Sequence, residues 1–254
     1  MNPLLFQMTK REVVGRYQGS VIGLAWSFLN PLMMLAIYTF VFGVIFSARW
    51  QNTGGHADFA MNLFAGLVVF NIFSECLNRA PMLVLSNVSY VKKVVFPLHI
   101  LPVTVLLSAL FHALVSLGIL LLFYIFIHGW PHWSVILLPL VWAPLAMLTL
   151  GCSWFLASLG VYLRDIGQVV GVATTALLFL SPVFFPASAL PGTVRQWAFL
   201  NPLTLPIGQT RALVIHGDMP DWPQLATYAV VSVLIAGMGY VWFDKTRKGF
   251  ADVI

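Results

Sequence analysis

Charge is what this chain has least of: of its 254 residues, 13 are Lys or Arg and 8 are Asp or Glu, 8% in all. About a quarter of an ordinary globular chain is charged, so a water-soluble domain of this length is excluded. The formal net charge of +5 then calls for an explanation other than nucleic acid. Cysteine is nearly absent too. Cys76 and Cys152 both sit inside apolar runs and read as small core residues, not as a disulfide or a metal pair. No phosphate loop of the form G-x-x-x-x-G-K-S/T occurs, so the chain has no ordinary way to hold ATP. Paired carboxylates for acid–base work, a G-x-S-x-G nucleophile turn and a His/Cys cluster at ligand spacing are all missing. An ion-coupled transporter needs ionisable groups buried in its spans, and these are almost lacking, so the energy for any transport comes from outside the chain. Met1 to Thr9 is too short for the apolar core of a cleavable signal peptide, and no small-residue cleavage site follows.

What the chain has in quantity is apolar surface. With 60% hydrophobic residues and a mean hydropathy of +0.91, it reads as a polytopic membrane protein. Met1, Leu4, Leu5 and Met8 share a helical face ahead of Lys10 and Arg11, as an interfacial amphipathic helix does. From Tyr17 to Ala48 there is no charged residue, and roughly 20 apolar residues cross the bilayer core. Asn30-Pro31 interrupts that run. Because the residue before a proline avoids the α region, the expectation is interfacial helices over residues 1–29, including Gly19 to Leu29, and a first span over 32–47. Gly15, Gly19 and Gly23, four apart, offer a smooth stripe for a neighbouring helix.

Further spans are expected at 59–77, 102–127, 134–162, 166–182 and 222–243. The charge-free part of the second stops at Ser74, and Glu75 stands four residues before Arg79, a spacing that pairs opposite charges on one helix face. The third and fourth lie in a 70-residue stretch, Val94 to Leu163, without one charged residue. His112 within it is expected to be a hydrogen-bonded structural histidine. Between Pro81 and Pro97, Val84, Val88, Val91 and Val95 form one stripe and Lys92 and Lys93 lie off it. A lone amphipathic helix of this kind needs the membrane surface or a partner to cover its apolar face. Residues 186–221 are cut by five prolines, with a sixth just beyond at Pro223, into short pieces, with helices expected at Val194 to Leu200 and Leu203 to Ile215, lying at or dipping into the membrane surface.

Six spans place both termini on one side together with Lys10, Arg11, Arg16, Arg79, Lys92, Lys93, Arg164, Lys245, Arg247 and Lys248, against Arg49, Arg195 and Arg211 on the other. Positive charge collects on the cytoplasmic side, so the termini are expected to face the cytoplasm, and topology accounts for the excess charge. The aromatics, 20 Phe, 9 Trp and 7 Tyr, cluster in places. Tyr38, Phe42 and Phe46 share a face of the first span, and Phe179, Phe184 and Phe185 crowd the end of the fifth. Sugar rings stack their C–H faces on aromatics, but helix packing and interfacial belts use the same residues, and both readings stand on these residues alone.

Several blocks carry a family resemblance. They are Arg16-Tyr17, Gly19-Ser20, Gly23 to Leu29 (GLAWSFL), Asn30-Pro31 and Val41-Phe42-Gly43; Lys92 to Pro97 (KKVVFP) with Ile100-Leu101-Pro102; Arg164 to Gln168 (RDIGQ); Ser181 to Pro186 (SPVFFP); and Asn201 to Thr204 with Arg211. Together they resemble the permease subunits of ABC-2-type polysaccharide exporters, which carry O-antigen, capsule or teichoic acid. The resemblance implies an all-α integral membrane fold of six transmembrane helices, with an N-terminal interfacial helix, a cytoplasmic coupling helix over 81–97 and short outer-face gate helices, within a single transmembrane domain over 1–254. It implies a homodimer of this permease in the bacterial inner membrane with two ABC ATPase subunits. ATP and Mg would be bound by those partners, and no cofactor by this chain. The cargo implied is a lipid-linked, undecaprenyl-type polysaccharide, O-antigen first. Teichoic acid, capsule, a small lipid or drug, or a non-transporting scaffold role are the alternatives. The first and fifth spans of the family line the tunnel, which assigns Tyr38, Phe42, Phe46, Phe179, Phe184 and Phe185 to it. Its second inter-span segment contacts the ATPase, which assigns coupling to Val84, Val88, Val91, Lys92, Lys93 and Phe96. Family members often carry charge beside the Phe-Pro of that segment, where this chain has Leu98 and His99.

Overall fold

The structure is a computed structural model that describes residues 3–41, 56–92, 96–186 and 200–254; among them every regular element is a helix. Lipid offers no hydrogen-bond partner to the backbone, so a charge-free run that crosses it has to satisfy its amides within its own segment. Helix α1 is Pro3–Gly15, α2 Trp26–Tyr38, α3 His56–Leu83, α4 Val88–Lys92, α5 Ile100–His128, α6 Leu138–Tyr162, α7 Ile166–Leu180, α8 Thr204–Arg211, α9 Trp222–Thr246 and α10 Phe250–Val253. Among the described residues, five stretches are long and apolar enough to cross a membrane: Gly23–Val41, Ala57–Leu83, Ile100–His128, Trp133–Tyr162 and Trp222–Val253. Helix α7 is apolar but only 15 residues long, about 22 Å at 1.5 Å per residue, against a hydrocarbon core of about 30 Å.

Helix α3 is the axis of the bundle. Its best apolar window is 89% buried, against 11% for that of the first span and 22% for that of α5, because α2, α5, α6, α7 and α8 all pack on it. A strongly apolar helix can be covered by protein or by lipid, and α3 is the one covered chiefly by protein. α1 lies across α5 with Val13 as its one buried residue. Helices α6 and α9 form the most extensive pair. They approach so closely at Gly151 and Gly239 that a Cβ on Gly151 would meet the Ile235 carbonyl oxygen at 2.5 Å, and one on Gly239 would run into the Gly151 carbonyl. Helix pairs in lipid gain chiefly from such contact, since lipid tails are as apolar as the side chains they replace.

Three expectations are corrected here. α2 runs unbroken through Asn30-Pro31: one forgone hydrogen bond costs less than opening a helix where no water can satisfy the freed groups. The chain turns earlier, at Gly19 and Gly23, whose φ values of +86° and +56° lie in the region glycine tolerates best. With Gly15, these glycines form no helix-packing stripe, since nothing lies within 4 Å of a Cβ built on any of them. Finally, α3 continues through Pro81 to Leu83, so residues 81–97 are not one helix. The Ser86 hydroxyl and the Asn87 amide both donate to the Leu83 carbonyl, at 3.2 and 2.9 Å, closing α3. A tight turn, Leu85–Asn87, then leads into α4.

If the Gly151–Gly239 crossing carries the α6–α9 pair, Gly151→Leu should destabilise the folded chain by about 1–3 kcal/mol, the usual range for overpacking. Thermal unfolding of the detergent-solubilised protein would register this as a lower midpoint, and Gly15→Leu, where there is open space, should leave the midpoint near its original value.

Candidate functional site

The two termini meet at one end of the bundle. Phe250 of α10 is fully buried there, edge-on to Phe243 with ring centroids 5.6 Å apart, and α10 packs on α4 and α6. Arg11 of α1 donates to the Tyr90 hydroxyl at 2.9 Å, and the Tyr90 ring stacks on Phe96 at 4.6 Å. Around this joint lie the residues assigned to ATPase coupling. Val84 is wholly buried in the bundle's own core, Val88, Val91 and Phe96 are half-buried, and Lys92 is exposed. Lys93 lies outside the described residues. Val84, Val88 and Val91 of the valine stripe thus turn toward the bundle, and the face left to solvent among the described residues is Ser86, Ser89 and Lys92.

Beside this joint is a four-membered charge cluster. Arg79 pairs with Glu12 of α1 and approaches Glu75 at 3.7 Å, the i,i+4 pair expected from sequence, while Arg16 takes Glu75 in a two-pronged ion pair. Partial burial works against the charge on Arg16, and the Glu75 carboxylate more than offsets it, so its pKa is raised. The cluster ties the N-terminal helix and the turn after it to α3. Because the side chains are 19–36% exposed, each pair contributes modestly, up to about 1 kcal/mol.

The Arg16–Glu75 pair stands at the edge of a cavity of about 360 Å³ between α2, α3 and α5, whose walls include Asn30, Tyr38, Asn71, His112 and Ser116. Tyr38 is the described member of the first aromatic trio; Phe42 and Phe46 lie outside the described residues. The second trio is elsewhere. Phe179 stacks on Phe184 at 5.7 Å and faces a shallow groove with Gln168, Val172 and Thr175, and Phe185 is half-buried. Helix α2 packs on the α5 side of α3 and α7 on its α6 side, so Tyr38 and the second trio are separate within one chain. His112 is not the hydrogen-bonded histidine expected: its Nε2 is buried without a partner among the described residues, and its ring stands edge-on to Tyr17 at 5.9 Å.

At the opposite end, the proline-rich segment enters the bundle. Val194 to Phe199 lie outside the described residues. Thr204–Arg211 is the helix α8, continued by a wide turn, Ala212–His216, and it is buried instead of lying at a surface. Thr204, Pro206, Ile207, Gln209, Thr210 and Arg211 are all enclosed. Asn201 donates to Ser181 at 2.9 Å, the Trp142 indole to Thr210 at 3.2 Å, and Ser134 to the Leu213 carbonyl at 2.7 Å.

At the centre is Arg211, 6% exposed. Its Nε donates to the Asn62 carbonyl at 2.8 Å, Nη1 to that of Pro182 at 2.5 Å and Nη2 to that of Val183 at 2.7 Å. Pro182 and Val183 lie just past the end of α7 and are buried; outside a helix at this depth, their carbonyls need donors from the protein. Room for the guanidinium comes from α3, where a Cβ on Gly66 would stand 2.7 Å from Nη2. Sequence reasoning counted Arg211 only as an outer-side charge and a family match. Its one visible signal was a lone arginine in a proline-bounded apolar segment.

Residues 3–215 match the ABC-2 type transporter family. The chain is 28% identical over 253 residues to the O-antigen export system permease protein RfbA of Myxococcus xanthus, covering 99% of this chain and 95% of that one. It is 23% identical over 256 residues to an RfbA of Klebsiella pneumoniae, with the same coverage. The capsule polysaccharide export inner-membrane protein CtrC of Neisseria meningitidis serogroup B is 22% identical over 245 residues, 94% of this chain and 89% of that one.

Two outcomes test this geometry. Arg211→Leu strands carbonyls that each cost about 1–3 kcal/mol unsatisfied, so a loss of at least that size is expected in thermal unfolding, with Gly66→Ala moving the same way by less. Glu12→Arg and Arg79→Glu should each lower stability by roughly 1 kcal/mol or less, and the double exchange should recover part of the loss. Simple addition of the two losses would show that the pair does not interact.

Proposed function

The chain belongs to the ABC-2 type transporter family, and we propose that it is the permease subunit of an exporter that moves a lipid-linked polysaccharide, of the O-antigen kind, across the bacterial inner membrane. The observation that carries this is the likeness to O-antigen permeases along 99% of the chain. The relatives named for capsule export favour a capsular glycan as the second reading.

In this reading the end where the termini meet faces the cytoplasm. It holds Lys10, Arg11, Arg16, Arg79, Lys92, Arg164, Lys245, Arg247 and Lys248, whereas the described part of the other end has Arg211, which is enclosed, and cytoplasmic faces collect positive charge. Two ATPase subunits bind ATP and Mg and dock against the exposed face of α4 with α1 beside it, Lys92 and Lys93 contributing charge and Phe96 supporting the joint. Their closure displaces α1, and the Glu12–Arg79 and Arg16–Glu75 pairs pass that displacement to α3.

The permease works as a pair of identical chains. Helices α2 and α7 keep broad exposed apolar faces, with Met33 and Ile37, and Phe40 just beyond α2, on one and Val169, Val172, Phe179 and Leu180 on the other. Apposing them across two copies covers those faces and brings the trio of Tyr38, Phe42 and Phe46 near that of Phe179, Phe184 and Phe185. The resulting path is lined by rings that hold a glycan through weak stacking and let it slide.

Deleting the gene and measuring surface polysaccharide alongside lipid-linked glycan inside the cell tests the function. Loss outside with build-up inside, reversed by the intact chain, is expected. Unchanged surface glycan with no accumulation would overturn the polysaccharide reading.

A further inference from the structure

We infer that the cavity between α2, α3 and α5 is a binding site for a single saccharide unit of the passing chain, an inference that rests on the cargo being a polysaccharide. Its volume of about 360 Å³ falls at the small end of the range for ligand pockets, about 300–1,000 Å³. The residue that points to a ligand is Asn71. It lies in the middle of α3, the most enclosed helix of the bundle, and from Phe59 to Leu77 it is the one exposed residue. Its amide faces the cavity and makes no hydrogen bond to any described residue. A polar side chain left unpaired at the middle of a span is costly and tends to mark a site of function.

The other walls match it. From α5 come His112 and Ser116, from α2 Asn30 and Tyr38, and from the N-terminal turn Tyr17. These are neutral donors and acceptors of the kind that meet hydroxyl groups. Phe64 and Met34 add apolar surface, so the lining suits a ring with hydroxyls at its edge and C–H bonds on its faces. The charges at the rim argue against a phosphate. Arg16 is already held by Glu75, and Arg79 with Glu12 completes a cluster of two cations and two anions, leaving no surplus positive charge for an anion.

The test uses cells carrying the complete exporter. p-Benzoylphenylalanine is placed at Asn71 and, as a control, at Leu122, which is exposed on α5 and does not line the cavity. After irradiation the permease is purified and probed with antibody to the surface glycan. A glycan ladder on the Asn71 variant and none on the Leu122 variant is expected. No ladder at Asn71, or an adduct of phospholipid mass alone, overturns the site; where the Asn71 variant does not accumulate, the same probe at Ser116 reads the facing wall.

Independently, Asn71→Leu should cut surface glycan several-fold while assembly with the ATPase is retained, and Asn71→Gln should restore most of it. Full export by Asn71→Leu would overturn the inference. The deletion strain separates the two levels: if deletion abolishes surface glycan and no adduct forms, the site alone falls; if deletion leaves surface glycan intact, the polysaccharide reading falls with it.

Discussion

Three backbone carbonyls from two parts of the chain converge on the guanidinium of Arg211, and much of the far end of the bundle depends on that convergence. α7 is too short to cross the hydrocarbon core as a helix. The residues just past it, Ser181 to Val183, are buried non-helical backbone, which the membrane tolerates only when the protein supplies hydrogen-bond partners. Arginine suits the task because its planar fork presents several donors in fixed directions, where lysine offers one compact charge. Bringing the fork there requires α8 to descend into the bundle, and α8 fits only because α3 carries Gly66 where another residue would carry a side chain.

The same helix that receives Arg211 at one end receives the charge cluster at the other. Asn62 and Gly66 meet α8, and Glu75 and Arg79 meet α1 and the turn after it, so α3 joins the two ends of the molecule. Its burial makes that connection stiff, since a close-packed helix transmits displacement better than it absorbs it. The ion pairs at the α1 end are partly exposed and individually weak, so their use lies less in stability than in registration, keeping α1 from sliding over α3 without a change in both. The geometry therefore separates a firm attachment at the α8 end from a more yielding one at the α1 end.

The sequence located the long helices well because lipid leaves so few alternatives: a run such as Val94 to Leu163 with no charge has to be helical wherever it crosses. Local rules failed where tertiary context outweighed them. Asn30-Pro31 reads as a break by propensity, yet α2 passes through it, and the glycines that looked like a packing stripe make the turn between α1 and α2. The true close approach, Gly151 against Gly239, joins residues far apart in the chain and left no pattern to find. The charged residues divide the same way. Glu75 and Arg79 could be paired from their spacing, whereas Arg16 and Glu12 reach their partners across 59 and 67 residues. Arg211 reaches Asn62 across 149. Asn71 in an apolar helix carried no signal until the stretch from Phe59 to Leu77 was seen enclosed except at that residue and, in part, at Glu75.

The scarcity of charge that marks the chain also bears on how a permease of this kind could handle its cargo. A fixed, unpaired charge along a path would hold an ionic group tightly and slow its departure, and conduction needs binding weak enough to leave. Within this bundle the cations near the cavity are neutralised by neighbouring carboxylates, and Arg211 is engaged by backbone carbonyls. What remains facing the cavity and the groove beside α7 is amide, hydroxyl, imidazole, aromatic and aliphatic surface. Such groups grip a polyhydroxylated chain through many contacts of similar strength, so that one sugar unit can replace the next without a deep minimum. Directional force then has to come from elsewhere, and in the proposed reading it enters at the joint of α1, α4 and α10, connected through the charge cluster to α3.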